Sequence, residues 1–510
     1  MNKGIVLGAV LALAGFGAGM YFAKQDQPPP VATTGSAGPS YAGGFKAEGD
    51  AAEAVKAGVA SGNIKAVAGP AGDAVMVVKD GESIQEAVKR AAPGTTIQIL
   101  PGTYHETVYI DKDGIRLIGV IEEGRRAVLD GEGKLNDAIL YSGNDFVVEN
   151  LEITRYTGNG IMGQAGNNFE IRNNLIIDTG VYGIFPQLGK NGVVEHNVVS
   201  GIEYAALYVG MSDNVHVAYN DVFDSVAGIE IENSRHAIVE SNYVHNNTGG
   251  ILTFVTPGLP IKTTQDVIIR NNFVVGNNHP NFGAPGSTVS GIPAGTGVLV
   301  MAADDVVIEG NVISDHKTAG IIITDHANAA NITVDPESEP NPDRVSILDN
   351  VMLKNGYDTI TEVKALMLAG MKRGNPDIVR VGPSPGSCII NRHQYVTVGV
   401  DDFAECAFTT TAGTMTYLLP PVPPRQIAAE DRGKIAFLGV CSGCHAYTGR
   451  IVGPPIQVIQ ALYLDNPQGL ADYIAKPVKK RDDYPEMPPQ DYLDATTRLA
   501  GAKYRLEVRN

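Results

Sequence analysis

The sequence predicts a mainly β chain, a parallel β-helix followed by a small second unit, and three observations predict it. An asparagine recurs about every 23 residues, each time behind an apolar-x-apolar stretch. The absence of Trp, an aromatic content of only 6% and an abundance of Val, Ile, Asn and Gly favour short strands and tight turns. A proline run late in the chain sets off a last segment with its own cysteine motif. At roughly 150 residues per domain, 510 residues are too many for one core, and 44% hydrophobic content is ample for several units. The net charge of −17 repels phosphate backbones and no basic patch offsets it, so no nucleic-acid partner is expected.

Lys3 precedes an uncharged run over residues 4–23 that Lys24 closes. The run has about the length a helix needs to cross a bilayer, so residues 1–24 are expected to be a signal anchor or a cleaved signal peptide. The protein is therefore expected in the periplasm, anchored to the inner membrane by residues 4–23. No cysteine precedes Cys388, which excludes a lipoprotein signal. Residues 25–75, with Pro28, Pro29 and Pro30, read as a linker.

A β-helix is expected over 76–417. Its repeat asparagines are Asn150, Asn174, Asn197, Asn220, Asn242, Asn272, Asn311 and Asn350, with insertions widening the later rungs. At one turn of every rung, such residues can pass amide hydrogen bonds from rung to rung. Gly160, Gly183, Gly228, Gly250 and Gly320, with Ala206 in one rung, follow as markers of a tight corner. Beyond them, alternation places Met162, Phe185, Tyr208, Glu230, Leu252, Leu299 and Ile322 in one outward column. A column so apolar needs a cover: the chain's own insertions, another domain or partner, or a bound sugar.

This pattern resembles the right-handed parallel β-helix of the pectin-lyase-like superfamily over about residues 76–400. The stretches Gly81 to Ile97, Pro101 to Tyr104 and Asp113 to Gly119 look like its N-terminal cap and first rungs, which implies a helical cap over the open strand edges. The resemblance also implies a possible polysaccharide partner. Chemistry on uronates needs a base at the C5 proton and a group that stabilises the developing negative charge. Glu230, Tyr208 and His326 are the catalytic candidates, with Glu232, Asp325, Asp315 and His316 as further polar groups and an exposed structural role as the alternative for each.

Residues 418–424, Leu-Leu-Pro-Pro-Val-Pro-Pro, read as a stiff linker to a unit over 425–510. Cys441-Ser-Gly-Cys444-His445 is the C-x-x-C-H haem-attachment pattern, with two thiols spaced for thioether bonds and a histidine placed for the iron. One haem c is therefore expected. Residues 425–510 hold one histidine, His445, and one methionine, Met487, so these two are the expected axial ligands and metal-binding residues. The segment resembles a short class I cytochrome c, a small all-α domain: Gly433 and Phe437 precede the motif, Leu499 and Tyr504 suit a crossing terminal helix, and Gly453-Pro454 matches that family's Gly-Pro. The resemblance implies that the Pro454 carbonyl orients the His445 ring. Cys388 and Cys406, eighteen apart, are expected to pair.

The expected function is that of a periplasmic monohaem c-type cytochrome in electron transfer, its β-helix a binding scaffold for a redox partner protein or a glycan. The alternative is a β-helix polysaccharide lyase or epimerase with an accessory cytochrome domain. Whether the chain is an enzyme stays open at this point.

Overall fold

The computed structural model describes residues 74–414, 422–423 and 427–509. The expectations for residues 1–24, for 25–73 and for most of the linker 418–424 fall outside these residues. Among the described residues no helix is long and apolar enough to cross a membrane.

Among the described residues, most of the chain is a right-handed parallel β-helix of three sheets. The first has 12 strands, from Val75–Val78 to Cys388–Ile389; the second has 10, from Gly102–Tyr104 to Val351–Leu353; the third has 11, from Val108–Ile110 to Thr397–Val398. One rung is Asp213–Ala218, Asp221–Phe223 and Ala227–Glu232. Register stacks like on like, with Val217 against Val239, Val222 against Val244 and Ile229 against Ile251. Alternation turns these residues inward, and they form one continuous buried core along the solenoid. Helix α1 (Ile84–Arg90) packs against the first strands as the expected cap. Glu106 receives the N–H groups of Ile84 and Gln85 and the Ser83 hydroxyl, so one carboxylate ties that helix start to the first rung.

Asparagine side chains form a ladder from Asn174 through Asn197, Asn220, Asn242, Asn272 and Asn311 to Asn350, with amide-to-amide distances of 2.9–3.1 Å in each step. Asn150 is not in it. Glu152 pairs with Leu175, so the ladder position in that rung is Leu151, and Asn150 falls one residue earlier. There it stands in the left-handed region at φ 62°, in register with Asn173 at φ 54°. The 24-residue first spacing was the trace of that slip. The corner glycines also have a different reason from the expected one. Gly183 and Gly250 lie inside third-sheet strands, and a Cβ on Gly183 would sit 2.5 Å from the Ala206 carbonyl oxygen of the next rung. They serve close stacking rather than a turn.

A second ladder runs between the second and third sheets, through Asn247, Asn277, His316 and Asn355. His316 is thereby a structural rung, and burial lowers its pKa to about 4.

Helix α2 (Thr361–Ala369) lies in the last insertion, and the disulfide between Cys388 and Cys406 closes the final rung. Beyond residue 427 the chain is helical: α3 (Arg432–Ala436), continued by a wider turn over Phe437–Cys441, then α4 (Ile456–Leu462), α5 (Pro467–Ala475) and α6 (Ala495–Glu507). α3 and α6 cross closely because Gly433 presses on the Ala500 carbonyl, and the Phe437 and Tyr504 rings meet at 5.5 Å.

Candidate functional site

The outward column of the third sheet is covered, both by the insertions and by the helical segment. Met162, Phe185, Tyr208 and Leu252 share a buried cluster with Leu259, Val289 and Ile292 from insertions, Val363 of α2, and Ala446, Ile451 and Val452 of the C-terminal segment. Polar contacts fix the docking. Gln164 donates to the Tyr492 hydroxyl at 2.6 Å, Gln187 to the Leu438 carbonyl at 2.6 Å, and the Tyr447 N–H to the Gly258 carbonyl at 2.9 Å.

Under this cover the structure brings Tyr208, Glu230 and Glu232 together. The Tyr208 hydroxyl donates to Glu232, and Tyr182 stacks on Tyr208 at 4.6 Å. Glu230 is 1% exposed with Oε1 unpartnered. Burial raises the Glu232 pKa to about 7, and burial beside Glu232 keeps Glu230 protonated well above the usual carboxylate range. The space beside them is about the size of a water molecule. His326 makes its contact elsewhere, with Nε2 at 2.8 Å from the Val255 carbonyl, and burial lowers its pKa.

An open groove of about 860 Å³ lies between the first rungs and the helical segment. Asp137, Asn136, Thr107, Tyr109 and Lys134 line it from the β-helix, and Lys476, Met487, Asp491 and Tyr492 from the other side. The Tyr109 and Tyr492 rings meet at 4.4 Å, an aromatic surface beside a polar floor. Asp137 Oδ1 accepts the Asn159 backbone and side-chain N–H groups at 2.9 and 2.7 Å, and burial pushes the carboxyl up to about 6 against those bonds. The neighbouring Asn136 Oδ1 is buried without a partner. Burial also raises the Tyr109 pKa, which keeps that phenol neutral. Lys112 points three hydrogen bonds at the carbonyls of Val88, Lys89 and Ala91 at the end of α1, so its charge caps that helix. Asp137 was missed in the sequence. Its only trace there is a carboxylate at a strand-entry position that is Ala205, Ala227 and Ala319 in register-matched later rungs.

The third set of residues lies in the helical segment. The backbone N–H groups of Cys444 and His445 both return to the Cys441 carbonyl, so thiols and imidazole share one turn. His445 donates from Nδ1 to the Pro454 carbonyl at 2.8 Å and its ring lies on Gly453, where no Cβ would fit. Burial, with the Arg505 charge nearby, lowers the His445 pKa to about 3, so the ring is neutral and Nε2 keeps its lone pair. Met487 is half-buried at the same helical core as Cys441. Arg505 is 1% exposed, and its Nε and Nη2 have no partner. Two thiols and a neutral imidazole in one turn fit a thioether-linked haem. Among the described residues no group of three or more His, Cys, Asp or Glu side chains is gathered to hold a metal ion.

A family profile described as periplasmic copper-binding protein (NosD) matches residues 103–289. No curated protein matches the chain. Among solved structures, the alginate lyase from Paenibacillus sp. str. FPU-7 is similar at 15% identity and a TM-score of 0.42, over 56% of this chain and 99% of that one. The A-module of the Azotobacter vinelandii mannuronan C-5 epimerase AlgE4 is similar at 14% identity and a TM-score of 0.37, over 66% and 91%. Pectate lyase Pel9A is similar at 14% and 0.34, over 62% and 78%. The electron-transfer function expected above is corrected: the profile that matches residues 103–289 is described as a periplasmic copper-binding protein, not as a cytochrome.

Proposed function

We propose that this chain is a periplasmic β-helix protein that acts on an acidic polysaccharide as a lyase or epimerase, with the sugar in the groove between the first rungs and the helical segment. The observation that carries the reading is Asp137: a carboxyl lining an open groove, held by Asn159 on one oxygen and raised to about 6. Such a group is ionised at neutral pH yet basic enough to take a proton. Asn136 Oδ1, buried and unpartnered beside it, suits a sugar hydroxyl, and the Tyr109–Tyr492 pair suits the apolar face of a pyranose. Asp137 removes the C5 proton and Lys134 meets the substrate carboxylate. In elimination the C4–O4 bond breaks as C4=C5 forms, and the neutral Tyr109 hydroxyl protonates the leaving oxygen. The periplasmic placement has its support in the description of the matching family.

The test is incubation with polymannuronate, polyguluronate and polygalacturonate, following unsaturated-product absorbance and the C5-epimer ratio. Turnover lost in Asp137→Asn supports the reading. No unsaturation and no epimer change on any of the three overturns it.

As a second reading, in which the groove lined by Met487 takes a prosthetic group in place of a sugar, we propose that Cys441 and Cys444 would hold one haem c covalently, with His445 and Met487 as its iron ligands and Pro454 orienting the His445 ring. When bound, the haem supplies an iron centre; the chain supplies the neutral imidazole and the buried turn. The intact mass of protein matured in a host with haem-attachment machinery tests this, and the unmodified polypeptide mass overturns it.

A further inference from the structure

Glu230 and Glu232 stand two apart on the strand Ala227–Glu232, so alternation points both out of the third sheet, yet they are 1% and 2% exposed. Gly210 is the register partner of Glu232 one rung earlier, and a Cβ there would strike the Tyr208 ring. The missing side chain leaves the ring the room it needs to bring its hydroxyl to Glu232. Beside the pair is a cavity that holds about one water, lined from the cover by Thr288 and Val289 of an insertion and Ile451 of the helical segment.

The titratable groups facing the pair are the phenols of Tyr182, Tyr204 and Tyr208 from its own sheet and the Cys444 thiol from the helical segment. Arg450 acts on Tyr204 from that segment, but its guanidinium is held by the Asp483 carbonyl and the Tyr484 ring. Among the described residues no ion pair reaches either carboxyl. An ionised carboxylate sealed there has neither water nor counter-charge, and lifting the cover supplies the water.

We propose that Glu230 and Glu232 are an acid-closed latch: protonated, they let the insertion at Thr288 and the helical segment at Ile451 seal the third sheet, and their ionisation lifts that cover. The proposal rests on neither functional reading above. The groove that holds Asp137 takes a wall from the same helical segment, so the latch sets the pH range in which that groove is whole.

The sign follows from burial. Closed, Glu232 is raised to about 7 and Glu230 is raised too; open to water, both return to the ordinary 4.5. Opening therefore releases two protons, and the open population grows about a hundredfold per pH unit from about 5 to 7, then about tenfold per unit while Glu230 alone stays protonated.

The test reads the Tyr447 amide, whose N–H bonds to the Gly258 carbonyl across the cover at 2.9 Å and exchanges when the cover lifts. Hydrogen exchange of the full chain is followed at single-residue resolution between pH 5 and 8, each rate divided by the intrinsic amide rate at that pH. The Tyr447 opening constant should climb with the stated slope, while Asp213–Ala218 on the first sheet stays level. Glu230→Gln with Glu232→Gln keeps the side-chain shapes, removes both ionisations and flattens the profile. Should that double substitution fail to fold, Glu230→Gln alone should halve the slope below pH 7. A flat parent profile overturns the proposal, as does a slope that survives undiminished in the substituted chains or is shared equally by the first sheet.

Discussion

Asp137 shows how one residue can serve chemistry at the expense of stability. Its carboxyl rises from an ordinary 3.8 to about 6 on folding, so the folded state binds the proton more tightly than the unfolded chain. A carboxyl raised in this way destabilises the fold as pH climbs from about 4 to 6, and on the linkage relation the cost at neutral pH is on the order of 3 kcal/mol. Asp137→Asn removes the ionisation and keeps an acceptor for Asn159. It should unfold at a higher urea concentration than the parent at pH 7.5, with the difference vanishing near pH 4. If Asp137 is the base, parent turnover should fall on acidification through about pH 6, because the ionised form is the active one. A pH–rate profile flat between 5 and 8 speaks against that role. Glu230 and Tyr208 were the more visible residues in sequence because they stand in a regular column. Their burial under insertions and the C-terminal segment was not visible there.

At the scale of the element, the rung is held by its polar ladder as much as by its apolar stack. Asn220 donates to the Val194 carbonyl at 3.0 Å and to Asn242 at 2.9 Å, and its Oδ1 accepts both the backbone and side-chain N–H groups of Asn197 at 3.0 Å. Asn220→Ala leaves those groups buried and unpaired, and should cost about 3–5 kcal/mol, read as a lowered urea midpoint. The ladder was legible from spacing because a stack repeats its turn chemistry at fixed intervals. Asn150 misled because two adjacent positions in each rung both welcome Asn, one for its amide and one for its tolerance of positive φ. The second ladder was not legible: it is built from Asn247, Asn277, His316 and Asn355, and a histidine among asparagines breaks the sequence pattern while keeping the hydrogen bonds. The Cys388–Cys406 pair closes an 18-residue separation at the final rung and contributes about 3 kcal/mol on the chain-entropy relation.

At the scale of the molecule, the helical segment is a cover of the third sheet as well as a unit with its own core. It packs tightly at Gly443, where any Cβ would collide with Gln187 and Phe185. Gly443→Leu should undock the turn while the β-helix stays folded. Hydrogen exchange should then rise in Tyr182–Phe185 and Ala205–Gly210, with the far sheets unchanged. Unchanged exchange in those strands contradicts the docking described here. The groove that holds Asp137 depends on the same docking, since one of its walls comes from residues 475–492.

What the sequence determined by itself is whatever repeats or is contiguous: the rungs, their inward and outward faces, the cap, the disulfide and the grouping of Cys441, Cys444 and His445 in one turn. Period and local spacing carry that information because each rung meets only its neighbours. Only the tertiary structure decided which outward residues are sealed and which face an open groove, and it left Arg505 alone in a helical core. Those outcomes depend on where a segment joined by a proline-rich stretch comes to rest on a long, nearly uniform surface, and no local period encodes that position.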